Sequence, residues 1–147
     1  MKIKDFNLTE HFKFSEMVYT DEKQFKNKNA EIAYGEFQKE IQALAEFAEK
    51  IRKIIGCPMI ITSAFRCEAL NNKIGGSVTS KHRTAQAIDF IPKTISAYEA
   101  FFKICISDID FHELILEQRG QGRLIHIAIG TKRKKLYSPK QGEYQNV

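Results

Sequence analysis

Two apolar runs, HELILE from His112 and LIHIAIG from Leu124, stand either side of the glycine-containing segment QRGQG, and they constrain the fold more than any other feature. Alternation over so short a stretch predicts strands, and a glycine-bearing connection between two of them predicts a β-hairpin. Successive strand residues point to opposite faces, so a slip of one residue exchanges the faces entirely. Pairing the row Leu114 and Leu116 with the row Ile125, Ile127 and Ile129 places Glu113, Ile115, Glu117, Leu124, His126 and Ala128 together on the other face. One face is apolar and needs a cover; on the other, Glu117 and His126 look the same way.

Upstream, apolar residues from Tyr34 through Phe37, Ile41, Leu44, Ala48, Ile51 and Ile55 recur at steps of three and four, which predicts a long amphipathic helix stopped by Gly56. MIITSAF from Met59 reads as a buried strand, and CEALNNKI, closed by Gly75 and Gly76, as a short helix. QAIDFI alternates as a strand, with Ile88 and Phe90 on one face and Ala87 and Asp89 on the other. Ser96 to Ile106 forms a second packed helix, anchored by Tyr98, Phe101, Phe102 and Ile104 or Cys105. Pro58, Pro92 and Pro139 fall where elements meet. The expectation is one α+β domain over 1–147. Its sheet is mainly antiparallel, with helices on the apolar side and a groove on the side carrying Asp89, Glu117 and His126.

With 43% hydrophobic and 28% charged residues, the composition excludes a disordered chain and implies a soluble globular one with a single core. The opening MKIKDFNLTEHF lacks the apolar stretch of an export signal, and no segment approaches the roughly 18 apolar residues of a membrane span. Synthesis in the cytoplasm without an export signal, and no membrane insertion, are therefore expected. Cys57, Cys67 and Cys105 are odd in number and contain no CxxC pair, so buried thiols are expected rather than disulfides or a thiolate zinc site. A net charge of +5 suits an anionic partner such as nucleic acid, a phosphate-rich cell wall or a membrane surface. The KRKK run at 132–135 lacks interleaved aromatics and reads as a solvated segment, so nucleic acid is not expected as a partner.

His82 lies on the loop feeding the Asp89 strand, and His126 interrupts a row of isoleucines. A lone histidine or aspartate is more often a surface, hydrogen-bonded or capping residue than a ligand; convergence of the three changes the balance. Two imidazoles and a carboxylate suit zinc, and three protein ligands leave one position open, as in catalytic rather than structural sites.

These residues resemble the zinc D-Ala-D-Ala carboxypeptidases and L,D-endopeptidases of bacterial peptidoglycan, which share their fold with the Hedgehog signalling domain. SKHRTAQAID is similar to that family's Ser-x-His-x-x-Gly-x-Ala-x-Asp signature, with Ser80, His82, Ala87 and Asp89 in place and Ala85 where the glycine usually stands. TSAFR resembles the family's Thr-Ser-Gly-Tyr-Arg segment, which puts Arg66 at the substrate-binding arginine, and LNNKIGGSVTS resembles the stretch that follows it. FHELILE with LIHIAIG looks like the final acid-bearing strand and third zinc ligand, and LTEHFKFSEM extends the likeness toward the N-terminus.

The resemblance implies a Hedgehog/DD-peptidase-like fold, Zn2+ held by His82, Asp89 and His126, and hydrolysis of peptidoglycan peptides by a monomer. Several members carry their catalytic carboxylate three residues before the last histidine, where this chain has Arg123. Glu117 is the candidate for that role here, resembling the acid that ends the preceding strand in a phage and bacterial subgroup, and Glu113 on the same face is the reserve. Arg66 would hold a substrate carboxylate or the tetrahedral oxyanion. Ser80 either bonds substrate or caps its loop, while His11 and His112 are structural or exposed. Such a chain is a D-Ala-D-Ala carboxypeptidase or a stem-peptide or cross-bridge endopeptidase, either a phage endolysin released to the cell wall through a membrane pore or a cytoplasmic trimming enzyme. A reading of another class, kept open by Arg123 and Ala85, is a non-catalytic, metal-stabilised binding or virion-associated protein with the same fold; release of free amines from peptidoglycan separates the two.

Overall fold

A computed structural model describes residues 2–147. In chain order the elements are α1 (Phe14–Met17), a 3-10 turn (Lys23–Phe25), α2 (Lys26–Glu36), α3 (Gln38–Ile55), β1 (Met59–Ser63) and α4 (Glu68–Lys73). A second 3-10 turn (Lys81–Thr84), β2 (Ala87–Pro92), α5 (Ala97–Ile106), β3 (Glu113–Arg119), β4 (Gly122–Ala128), β5 (Lys134–Tyr137) and β6 (Gln145–Asn146) follow. The strands form one six-stranded sheet in the order β1-β2-β4-β3-β5-β6. The α+β class is as expected. β3–β4 and β5–β6 are antiparallel, whereas β5 runs parallel to β3.

The chain forms two compact units, one of residues up to 49 with 61–88 and the other of 50–60 with 89–147. In the first, Phe12, Met17, Ala33, Ile41, Leu44, Ala48, Phe65 and Leu70 are buried. Phe6 stacks on Phe14 at 5.1 Å, and Phe37 lies 4.8 Å from Phe65. The periodic run read from Tyr34 is not one helix. α2 ends at Glu36, Phe37 leaves helical geometry at φ −129°, and α3 starts at Gln38. Gly56, at φ +72°, ends α3 as expected, because the left-handed turn after a helix suits a residue without Cβ.

In the second unit the hairpin has the register that parity demands: Leu114 faces Ile127, Leu116 faces Ile125, Ile115 faces His126 and Glu117 faces Leu124. The strands run closer to the turn than the sequence suggests, pairing Arg119 with Gly122, with Gly120 at φ +59° in the tight connection. The second face is more covered than expected, since Ile115, Glu117, Leu124 and Ala128 are all buried. α5 packs against β3 and β4 through Ala100, Phe101 and Ile104. Tyr98 and Phe102 were expected as anchors but are exposed, because a helix cannot turn every aromatic toward one partner. β1, expected as a buried strand, buries Met59 and Ile61 but lies at the sheet edge with Ile60 half exposed. Cys57 and Cys67 are buried free thiols, while Cys105 is only half-buried.

The KRKK segment is not simply solvated. Arg133, at φ +53°, donates to the carbonyls of Cys105, Ser107 and Ile109 and lies 4.7 Å over the Phe111 ring, clamping the end of α5. His11 donates its backbone N–H to Glu49 Oε2 and sets its ring Nδ1 against Glu49 Oε1, both at 2.7 Å, a structural clasp. His112 pairs backbone with Ala128 and Lys134.

Candidate metal centre

His82 sits in the 3-10 turn Lys81–Thr84 and is 2% exposed. Ser80 caps that turn, its Oγ accepting from His82 N at 3.2 Å. Ala85 closes the turn in the left-handed region at φ +57°, a conformation that a side chain opposes by roughly 1–2 kcal/mol and glycine does not. The His82 Nδ1 lies 2.6 Å from the Ala64 carbonyl. A carbonyl only accepts, so Nδ1 carries the proton and Nε2 keeps its lone pair for a ligand role.

Asp89, on β2, is 6% exposed. His126, on β4, stands between two carboxylates, with Nδ1 2.7 Å from Asp89 Oδ1 and Nε2 3.5 Å from Glu113 Oε1. Burial disfavours the imidazolium, yet the bonds to Asp89 and Glu113 outweigh it and push the pKa up to about 9. In turn, the His126 ring holds Glu113 below the usual carboxylate range against the opposing effect of burial. A cation entering here displaces a proton, so its affinity rises with pH.

One donor atom each from His82, Asp89 and His126 lies within 4.8 Å of the others. Metal bonds of about 2.0–2.1 Å put the ligands of one ion some 3–4 Å apart, the scale of this spacing. Two imidazoles and a carboxylate, each buried or nearly so, fit a zinc-type ion, and the carboxylate cancels part of its charge.

The remaining sequence candidates divide. Glu117 is 7% exposed, accepts a hydrogen bond from the Tyr144 hydroxyl, and has Arg119 at 3.9 Å. Glu113, the reserve base, instead touches the far nitrogen of His126. Arg66 follows β1, donating its Nη2 to Ser80 Oγ at 3.4 Å and its backbone N–H to the His82 carbonyl at 3.0 Å. Ser80 thus caps the loop and also meets Arg66. It lines a cavity of about 640 Å³ with Phe37, Phe65, Val78 and Lys81. Arg123 has the opposite parity to His126 on β4. Its guanidinium lies over the rings of Tyr98 and Tyr137, and it donates to the Ser138 carbonyl and the Tyr137 hydroxyl.

Three partners escaped the sequence reading. Tyr144 and the Glu113–His126 contact depend on side-chain approach across strands, for which no local pattern exists. Asn29 is wholly buried: it donates to the carbonyls of Val18 and Phe65 and accepts from the Cys67 N–H, gripping the backbone on either side of Arg66.

Among the described residues, no helix is long and apolar enough to cross a membrane. No curated protein matches the chain. The family profile described as Peptidase M15 matches residues 10–128, from the loop before α1 to the end of β4, and so takes in all three candidate ligands. A match over most of the chain shows that it belongs to the Peptidase M15 family, of D-Ala-D-Ala carboxypeptidase type, whose members are typically metal-dependent peptidases.

Proposed function

We propose that this chain is a zinc-dependent peptidoglycan peptidase that either trims a terminal D-alanine or cuts a stem-peptide or cross-bridge bond. The observation that carries the proposal is the His82, Asp89 and His126 group, in a chain of a peptidase family. When bound, the ion supplies Lewis acidity and makes water an effective nucleophile at neutral pH.

The chain's own residues supply the rest. The Ala64 carbonyl and the Glu113 carboxylate fix the two imidazoles in one orientation each, which spares the site the entropy of ordering them during reaction. Glu117 takes the proton of the attacking water and returns it to the leaving amine, the duty of a carboxylate in a metal-assisted hydrolysis. Arg66, braced by Ser80 and by the backbone grip of Asn29, holds a substrate carboxylate with a permanently charged planar fork. Helices cover the opposite side of the sheet in this reading, and the substrate groove opens on the ligand side. A net charge of +5 suits approach to a phosphate-rich wall, and release by a phage lysis system is the setting we favour, with the protein acting as a monomer.

The test is incubation of the zinc-loaded protein with defined muropeptides, reading new free amines and product masses. Release of D-alanine, or of two fragments, that stops on chelation supports the proposal and identifies the bond. Retained metal with no amine released would overturn it in favour of the non-catalytic binding role.

A further inference from the structure

Glu117 is a nearly buried carboxylate, and such a group needs hydrogen-bond donors. One donor reaches it from the far end of the chain. β5 runs parallel to β3, with Leu116 beside Tyr137, and β6 pairs antiparallel to β5, with Tyr137 beside Gln145. This relay of registers delivers the residue just before β6, Tyr144, to the residue just after Leu116, Glu117. The phenol hydroxyl donates to Glu117 Oε1. Arg119, at 3.9 Å and half exposed, makes a looser contact with the same carboxylate. Tyr144 also lies beyond residue 128, where the match to the family profile ends, so the family pattern does not account for it.

We propose that Tyr144 is a positioning residue of the active site, its hydroxyl pinning one oxygen of Glu117 so that the other is held toward the attacking water, with β6 as the strap that delivers it. A carboxylate at the end of a glutamate side chain rotates freely unless held, and a base must stand within about 2.6–3.2 Å of the proton it takes. One charge-assisted bond to a fixed phenol removes that freedom while leaving the second oxygen available. Tyr144 as a residue is about half exposed, and its hydroxyl reaches the nearly buried carboxylate. This inference rests on Glu117 as the base.

The experiment compares the zinc-loaded parent, Tyr144→Phe and Glu117→Gln chains on solubilised peptidoglycan stem peptides, reading kcat, KM, bound zinc and melting temperature. Tyr144→Phe removes one oxygen and keeps the ring. The expected result is a fall in kcat of about 10- to 100-fold, the scale of a misplaced catalytic group, with KM, zinc content and melting temperature close to the parent. Parental kcat in Tyr144→Phe while Glu117→Gln is inactive overturns the role of Tyr144 and leaves the base in place. A loss of kcat that only follows a loss of zinc or of melting temperature makes the contact a structural anchor and also overturns it. Full activity in Glu117→Gln, or none in the parent, overturns the reading of the base or of the activity, and this inference with it.

Discussion

A histidine becomes a dependable ligand only when its other nitrogen is spoken for. The carbonyl of Ala64 does this for His82 and the carboxylate of Glu113 for His126. Replacing Glu113 by Gln is expected to weaken metal affinity by about 10- to 100-fold while leaving kcat at saturating metal near the parent value, as titration with a competing chelator followed by assay would show. Parental affinity would remove Glu113 from the site. Glycine carries a second residue-level prediction. A Cβ at Gly130 would lie 2.6 Å from the Cβ of His112 and 3.0 Å from its Cα, so Gly130→Ala should lower stability by about 1–3 kcal/mol in a denaturant titration. That Asp89 and His126 come together was legible in the sequence, because strand alternation fixes which way each looks. Their supporting partners were not, since a contact such as Glu113 with His126 depends on the diagonal approach of side chains across a pair.

Elements with a strong period were read well, and those without one were missed. α3 has a continuous apolar stripe, whereas α2 buries only Asn29 and Ala33 and offers no stripe to find. α2 nonetheless carries the amide that grips the backbone around Arg66. Asn29→Ala strands buried partners at Phe65, Val18 and Cys67, each worth about 1–3 kcal/mol when left unpaired. The expected result is a lower melting temperature together with a KM that rises more than kcat falls; an unchanged KM would separate Asn29 from the Arg66 function. The clasp between the N-terminal loop and α3 gives a pH test. Burial would raise the Glu49 pKa, but hydrogen bonds from the His11 ring, the Thr9 side chain and the His11 N–H outweigh it, so the folded value lies below the ordinary 4.5. A depressed carboxylate contributes stability fully above its unfolded pKa and loses it as pH falls through the folded one. Glu49→Gln should therefore be less stable than the parent at pH 7, with the difference closing as pH drops below about 4.5. A gap that stays constant with pH would show that the charge contributes nothing.

Across the whole molecule, the α+β class and the β3–β4 hairpin could be read from alternation and turn chemistry, while the C-terminal strands could not. KKLY has no pattern that marks it as β5; it is a strand because it pairs with β3, a partner distant in sequence. The same pairing turns Arg133 inward from a run that looks like a solvated basic tail, and carries Tyr144 to Glu117. The long-range part of the sheet thus decides what surrounds the candidate base, whereas the candidate ligand set was read from short motifs. That ligand set is the central claim, and metal analysis coupled to assay tests it most directly. Parent and Asp89→Ala chains are loaded with zinc, dialysed, and measured for bound metal and amine release. The parent should hold one zinc per chain and lose turnover on chelation, and Asp89→Ala should lose metal and turnover together. Turnover that survives chelation, or an Asp89→Ala chain that keeps both its metal and its activity, would contradict it.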